Sequence, residues 1–147
     1  MMPAIHLNFF AILIATVVNF LVGFLWYTPF FGKIWAKELG LKITKKTKIS
    51  ALIRGMIFTI VGSFFMAYVF SHNIAVWNPV TWGLAPNGMD KTTSALMAAI
   101  FTWLGFYFPV DLGVVAWEQK SWKLFFINTG YHFVSLLVMA FILIFMA

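Results

Sequence analysis

The chain has 147 residues, 63% of them hydrophobic and 20% aromatic, with only 10% charged and a formal net charge of +6. A mean hydropathy of +0.94 leaves more apolar surface than a soluble domain of this size can hide, so lipid must cover the remainder. Cysteine is absent, which excludes disulfides, thiolate metal sites and cysteine nucleophiles.

A bilayer core about 30 Å thick needs about 20 apolar residues per helix. Four segments meet that requirement, at about 5–27, 50–71, 94–117 and 123–146. The fold expected is all-α: a single integral membrane domain over 1–147, built as a four-helix bundle with a short interfacial helix between the first two spans. The first span is read as a retained helix rather than a signal peptide. It lacks a basic leader, and it ends in Trp26-Tyr27-Thr28-Pro29 instead of a small-residue cleavage site.

Where the first span ends, the stretch WYTPFFGKIW (26–35) places Trp26 and Tyr27 at headgroup level and breaks the helix at Thr28-Pro29. Phe31, Trp35 and Leu39 then recur every four residues, with Lys33 and Lys37 on another face. That spacing predicts a helix over about 31–40 lying in the interface, with Gly40 as its C-terminal cap. Lys42, Lys45, Lys46 and Lys48 follow and are expected to contact anionic headgroups, each contributing about 1 kcal/mol near such a surface. Trp35, Trp117 and Trp122 join Trp26 and Tyr27 as interfacial anchors.

The second span aligns Gly55, Thr59, Gly62 and Met66; the third aligns Ser94, Ala98, Thr102, Gly105 and Pro109. Small residues let helices approach closely, so both stripes are expected to pack inward. Asn8, Ala15, Asn19 and Gly23 in the first span, and Asn128, His132, Ser135 and Met139 in the fourth, form matching small or polar stripes.

Counting about 1.5 Å per residue from the helix ends puts Asn19, Asp111, Asn128 and His132 roughly 6–12 Å deep on the lysine-rich side. With Arg54 entering from that side, a candidate intramembrane polar cluster of Asn19, Arg54, Asp111, Asn128 and His132 results, rimmed by Tyr27 and Tyr131. Arg54 is the expected partner of Asp111, being permanently charged on a long stem, and His132 is the alternative. No nucleophile, base and oxyanion-donor set is visible, so no catalytic residue is assigned. No two histidines have metal-ligand spacing, and neither a metal nor a cofactor is expected.

Two motifs, WYTPFFGKIW and WKLFFINTGYHFVSLLVMA (122–140), resemble the family of small four-helix membrane proteins known as DUF1761. The resemblance implies this fold and a membrane location and adds no mechanism. Two functions stay open. One is a non-catalytic membrane protein that self-associates or serves as an accessory subunit. The other is a minimal transporter or channel working through the polar cluster. Expected partners are the bilayer with its anionic lipids, and a homo-oligomer or larger membrane complex; no nucleic acid is expected.

Six lysines over 33–48 oppose Glu38 alone, whereas the 72–93 connection carries only Lys91 and Asp90. The positive-inside rule puts the lysine-rich connection in the cytoplasm and both termini outside. Lys120 and Lys123 in the third connection fall on the same cytoplasmic side. Single cysteines at Asn87 and Lys46 should therefore label from opposite faces with an impermeant reagent. Labelling of both from one face would contradict the orientation.

Overall fold

The computed structural model describes residues 3–41 and 49–147. The described residues form an all-α structure: α1 (Phe9–Leu25), a π-turn (Trp26–Phe30), α2 (Gly32–Glu38), α3 (Ile49–Trp77), a 3-10 turn (Pro79–Trp82), α4 (Lys91–Thr102), a second π-turn (Trp103–Tyr107), α5 (Phe108–Glu118) and α6 (Trp122–Phe145). Four helical segments are long and apolar enough to cross a membrane: Phe9–Phe30, Ile49–Trp77, Lys91–Glu118 and Trp122–Phe145. Lys42, Lys45, Lys46 and Lys48 lie outside the described residues.

Helix ends follow their capping chemistry. Asn8, Asp90 and Ser121 each accept a main-chain N–H three residues on, opening α1, α4 and α6. The Thr93 hydroxyl, with the Thr93 amide, holds the exposed Asp90 carboxyl below the usual carboxylate range. At the end of α2, Gly40 adopts a left-handed φ of +68°, which a Cβ would strain. There Gly40 N–H donates to Lys37 O and Leu41 N–H to Ala36 O, the paired bonds of a Schellman cap.

Packing is centred on α6, which touches α1, α2, α3, α4 and α5. One half of the interior is apolar: Ala11, Ile12 and Ala15 of α1, Ala67 and Phe70 of α3, Ala95 and Ala99 of α4, and Leu136, Met139, Ala140, Leu143 and Ile144 of α6. Alanines on three helices let large α6 side chains fill the space between them. At this end Asn8 Nδ2 donates to Met146 O at 2.7 Å, and Ala4 N–H donates to Thr81 O at 2.9 Å. The other half mixes buried apolar residues, Leu124, Phe125 and Ile127 among them, with the buried polar side chains Asp111 and Thr129.

Three local expectations are corrected. Pro29 does not stop the first helix; it sits in a π-turn that carries the helix on to Phe30, closed by Phe31 N–H donating to Trp26 O at 2.9 Å. Proline has no N–H to give an i→i−4 bond, and the wider turn absorbs that loss. The small stripe of α3 is packed only at Met66: Gly55, Thr59 and Gly62 are exposed, and α3 instead buries Ser63, Ala67 and Phe70. In the third span Gly105 and Pro109 are exposed while Ala95, Ala99 and Asp111 are buried. The π-turn at Trp103–Tyr107 inserts an extra residue, so a 3.6-residue stripe extended through it rotates off the packed face.

One glycine is fixed by close approach rather than by φ. A Cβ on Gly32 would lie 2.5 Å from the carbonyl oxygen of Tyr27, where the π-turn hands over to α2. Gly113, in α5, has open space at the same position. Gly32→Ala should cost about 1–3 kcal/mol, the range for forced overpacking. Gly113→Ala should cost nothing, because alanine favours helix. Thermal unfolding of both variants in lipid nanodiscs checks the contrast, and equal midpoints would contradict it.

Candidate functional site: a polar seam along the last helix

The polar residues of α6 each meet a different element. At the deepest level Asn19 of α1, 2% exposed, donates from Nδ2 to Ser63 Oγ of α3 at 2.9 Å, while the Ser135 hydroxyl donates to Asn19 Oδ1. All three side chains are buried. One amide thereby joins three helices, using a donor and an acceptor that hydrocarbon cannot satisfy.

One turn nearer the α2 end, Asp111 of α5 and His132 of α6 pair, Oδ2 to Nδ1, at 2.9 Å. Asp111 is 7% exposed, and His132 is half-buried. This contact corrects the expected Arg54 partnership. Arg54 is exposed on α3, which packs on α1 and α6, whereas Asp111 is carried by α5 on α6. A buried carboxylate with no cation from α3 takes its partner from the helix it rests on.

Aromatic rings surround the pair. Tyr107 stands 4.7 Å from His132 between ring centroids, Tyr131 stands 5.5 Å from His132, and Tyr27 stands 5.0 Å from Tyr131. The Tyr27 hydroxyl donates to Asn128 Oδ1 at 3.0 Å, and Trp35 of α2 packs edge-on to Tyr27 at 5.3 Å. Gly23 gives the Tyr131 phenol its place; a Cβ there would sit 3.1 Å from the hydroxyl.

The two π-turns hold these tyrosines in matching ways. Each begins with a tryptophan whose indole N–H reaches an α6 carbonyl: Trp26 to Ile127 O at 3.0 Å, and Trp103 to Thr129 O at 3.0 Å. The Trp103 indole also lies 3.0 Å from Thr129 Oγ1. The two carbonyls flank Asn128. Tyr27 and Tyr107, both within the π-turns, meet the polar residues Asn128 and His132 of α6. π-turns inside helices are frequent at functional sites.

Of the residues expected from sequence, Asn19, Asp111, Asn128, His132, Tyr27 and Tyr131 lie along this seam, and Arg54 does not. Trp26 faces α6 with its indole N–H, Trp35 packs on Tyr27, and Trp117 and Trp122 are 88% and 58% exposed. Ser63, Trp103, Tyr107 and Thr129 are part of the seam although the sequence reading passed over them. The Tyr107-Phe108-Pro109 stretch is the available signal, because an internal proline marks a disturbed helix register.

Chemically the seam offers a carboxylate, an imidazole, three phenols and two carboxamides, with no aligned nucleophile. Asn19→Leu strands two buried hydroxyls and should cost about 1–3 kcal/mol. Trp103→Phe removes one indole donor shared between the Thr129 carbonyl and hydroxyl, and should cost about 0.6 kcal/mol. Reversible unfolding in mixed micelles measures both; a larger loss for Trp103→Phe than for Asn19→Leu would contradict this ranking.

Comparison with known proteins adds a family. A family model described as a protein of unknown function, DUF1761, matches residues 10–144. No curated protein and no solved structure matches the chain. The match covers both π-turns and almost all of α6, and the chain belongs to the DUF1761 family.

Proposed function

We propose that the chain is a multi-pass membrane protein acting as a non-catalytic, self-associating or accessory subunit. The observation that carries this is the outward face of α3. Over a helix of 29 residues only Ser63, Ala67 and Phe70 are buried, and among the described residues nothing beyond the adjoining backbone and chain neighbours of α3 lies within 4 Å of where Gly55 or Gly62 would carry a Cβ. A second helix laid along Gly55, Thr59 and Gly62 would gain the close backbone approach on which association in lipid depends. The polar groups of the interior, by contrast, satisfy one another.

The lysine bias supports a cytoplasmic position for the α2 end, with both termini outside. Lys33 and Lys37 are exposed on α2, while Ala36 is buried beneath them and Trp35 is half-buried. This supports a helix lying in the interface against anionic headgroups, with Lys42, Lys45, Lys46 and Lys48 following it, and Trp117 and Trp122 as anchors across the same boundary. The bilayer, another copy or a larger membrane complex are the partners of this reading. The Asp111–His132 pair favours a second one, a minimal transporter or channel, because two groups able to change charge meet between two spans.

Single-molecule photobleaching in native-lipid nanodiscs tests assembly. More than one copy per disc is expected for the native chain, with Gly55→Ile plus Gly62→Ile shifting the population to one. A single copy for the native chain, or an unchanged distribution for the double variant, would overturn self-association.

A further inference from the structure

The connection from α3 to α4 is unlike the lysine-rich one. No Asp, Glu, Lys or Arg occurs from Gly55 to Met89. Trp77, at the end of α3, follows Arg54 by 23 residues, about 35 Å along a helix. With Arg54 at one face of a hydrocarbon core about 30 Å thick, Trp77 arrives at the other. Trp77 is 85% exposed, and its ring joins an apolar body to one N–H, the combination that sets tryptophan at headgroup level. Charge returns only at Asp90 and Lys91, after a turn at Asn87-Gly88.

At the level of Trp77 the chain forms an open groove of about 390 Å³, lined by Val76, Trp77, Pro79, Trp82 and Leu84. The groove continues the outward stripe of α3, where Phe65, Val69 and Val76 recur on one face and the first two are more than half exposed. Its walls are fixed by hydrogen bonds. The Trp82 indole donates to Val76 O at 2.7 Å, and Ala4 N–H donates to Thr81 O at 2.9 Å, pinning the 3-10 turn to the N-terminal segment. Within the turn, Asn78 N–H donates to Ala75 O, Thr81 N–H to Asn78 O, Gly83 N–H to Val80 O and Leu84 N–H to Pro79 O, while Asn78 Oδ1 accepts from Val80 N–H. Irregular main chain can sit against lipid only when its polar groups are met from within, a demand that water does not make.

We infer that this groove seats an acyl chain of a lipid in the leaflet opposite α2, so that the α3–α4 connection is a foot set into the membrane. Water is the poorer occupant, because an ordered water needs about 2–4 polar partners and the walls are apolar side chains with the Trp82 N–H already bonded. The volume falls within the range of about 300–1,000 Å³ typical of small-ligand sites. The inference rests on the spans lying in a bilayer and is separate from self-association. Gly62, the nearer glycine of the proposed contact between copies, is 14 residues from Val76, about 21 Å along α3.

The test uses the full chain in phosphatidylglycerol nanodiscs in which a share of the lipid carries a diazirine on its acyl chain. Adducts formed on illumination are mapped by mass spectrometry. Phe58, 68% exposed within α3, is the internal reference: adducts around it report that the span sits in lipid, and their absence would remove the bilayer reading together with the inference. With the reference labelled, adducts over 76–84 are expected in the native chain. Leu84→Trp, which fills the groove from a side chain already 60% exposed, should lose most of them, whereas Val80→Trp, on the same turn but outside the groove, should keep them. Labelling around Phe58 with none over 76–84 in the native chain would leave the groove to solvent or to another copy and overturn the inference. An undiminished yield in Leu84→Trp, or an equal loss in Val80→Trp, would overturn it as well.

Discussion

A polar group inside hydrocarbon has no water to fall back on, and α6 carries four of them within two turns: Asn128, Thr129, His132 and Ser135. The rest of the fold follows from how they are met. Tyr27 takes Asn128, Trp103 takes Thr129, Asp111 takes His132 and Asn19 takes Ser135. The partners come from the first and third spans, so α6 is held from two sides and its rotation is fixed. α3 enters the scheme through Ser63 alone and is accordingly the least buried of the four long segments.

This pairing explains why both π-turns occur where they do. An unbroken α-helix through Trp26–Phe30 or Trp103–Tyr107 would advance about 100° per residue and carry the following side chains past α6. The extra residue of each π-turn resets that rotation. In the third span it brings Asp111 onto the face occupied by Ala95 and Ala99, so one span supplies both apolar packing and a buried carboxylate. In the first it keeps Tyr27 beside α6 while releasing the chain into α2. The indoles of Trp26 and Trp103 then tie each π-turn to α6. Proline lies within the first π-turn and just beyond the second, where a missing N–H makes the regular ladder easiest to leave.

How much of this the sequence discloses depends on the range of the interaction. Span positions and the four-residue spacing around Trp35 are local properties of hydropathy and sequence, and helices fall where those predict. The polar stripes of the first and last spans were legible too, because Asn19 and His132 are conspicuous against apolar neighbours and lie on uninterrupted helix. Ser63 was not, since a lone serine among glycines and threonines gives no sign of which face turns inward. The Gly55 stripe misled for the same reason: small residues mark a surface able to pack closely without stating whether this chain or another does so. Asp111 could be grouped with the polar residues of the other spans but not assigned a partner, because the choice between Arg54 and His132 depends on which helices are adjacent. Tyr107 and Trp103 were hidden by the π-turn, which breaks the periodicity that would otherwise report their face.

The most direct measurement of this account is the distance between Asp111 and His132 in a bilayer. The chain contains two aspartates and three histidines, so ¹³C-carboxyl aspartate and ¹⁵N histidine labelling leaves few candidate pairs, and only Asp111–His132 is close. Dipolar recoupling by solid-state NMR should detect a carboxyl carbon to imidazole nitrogen coupling set by the 2.9 Å contact between Oδ2 and Nδ1, and Asp111→Asn should remove it from the aspartate spectrum. Absence of that coupling in the native chain, with Asp111 instead close to acyl-chain protons, would contradict the pairing on which the seam is built.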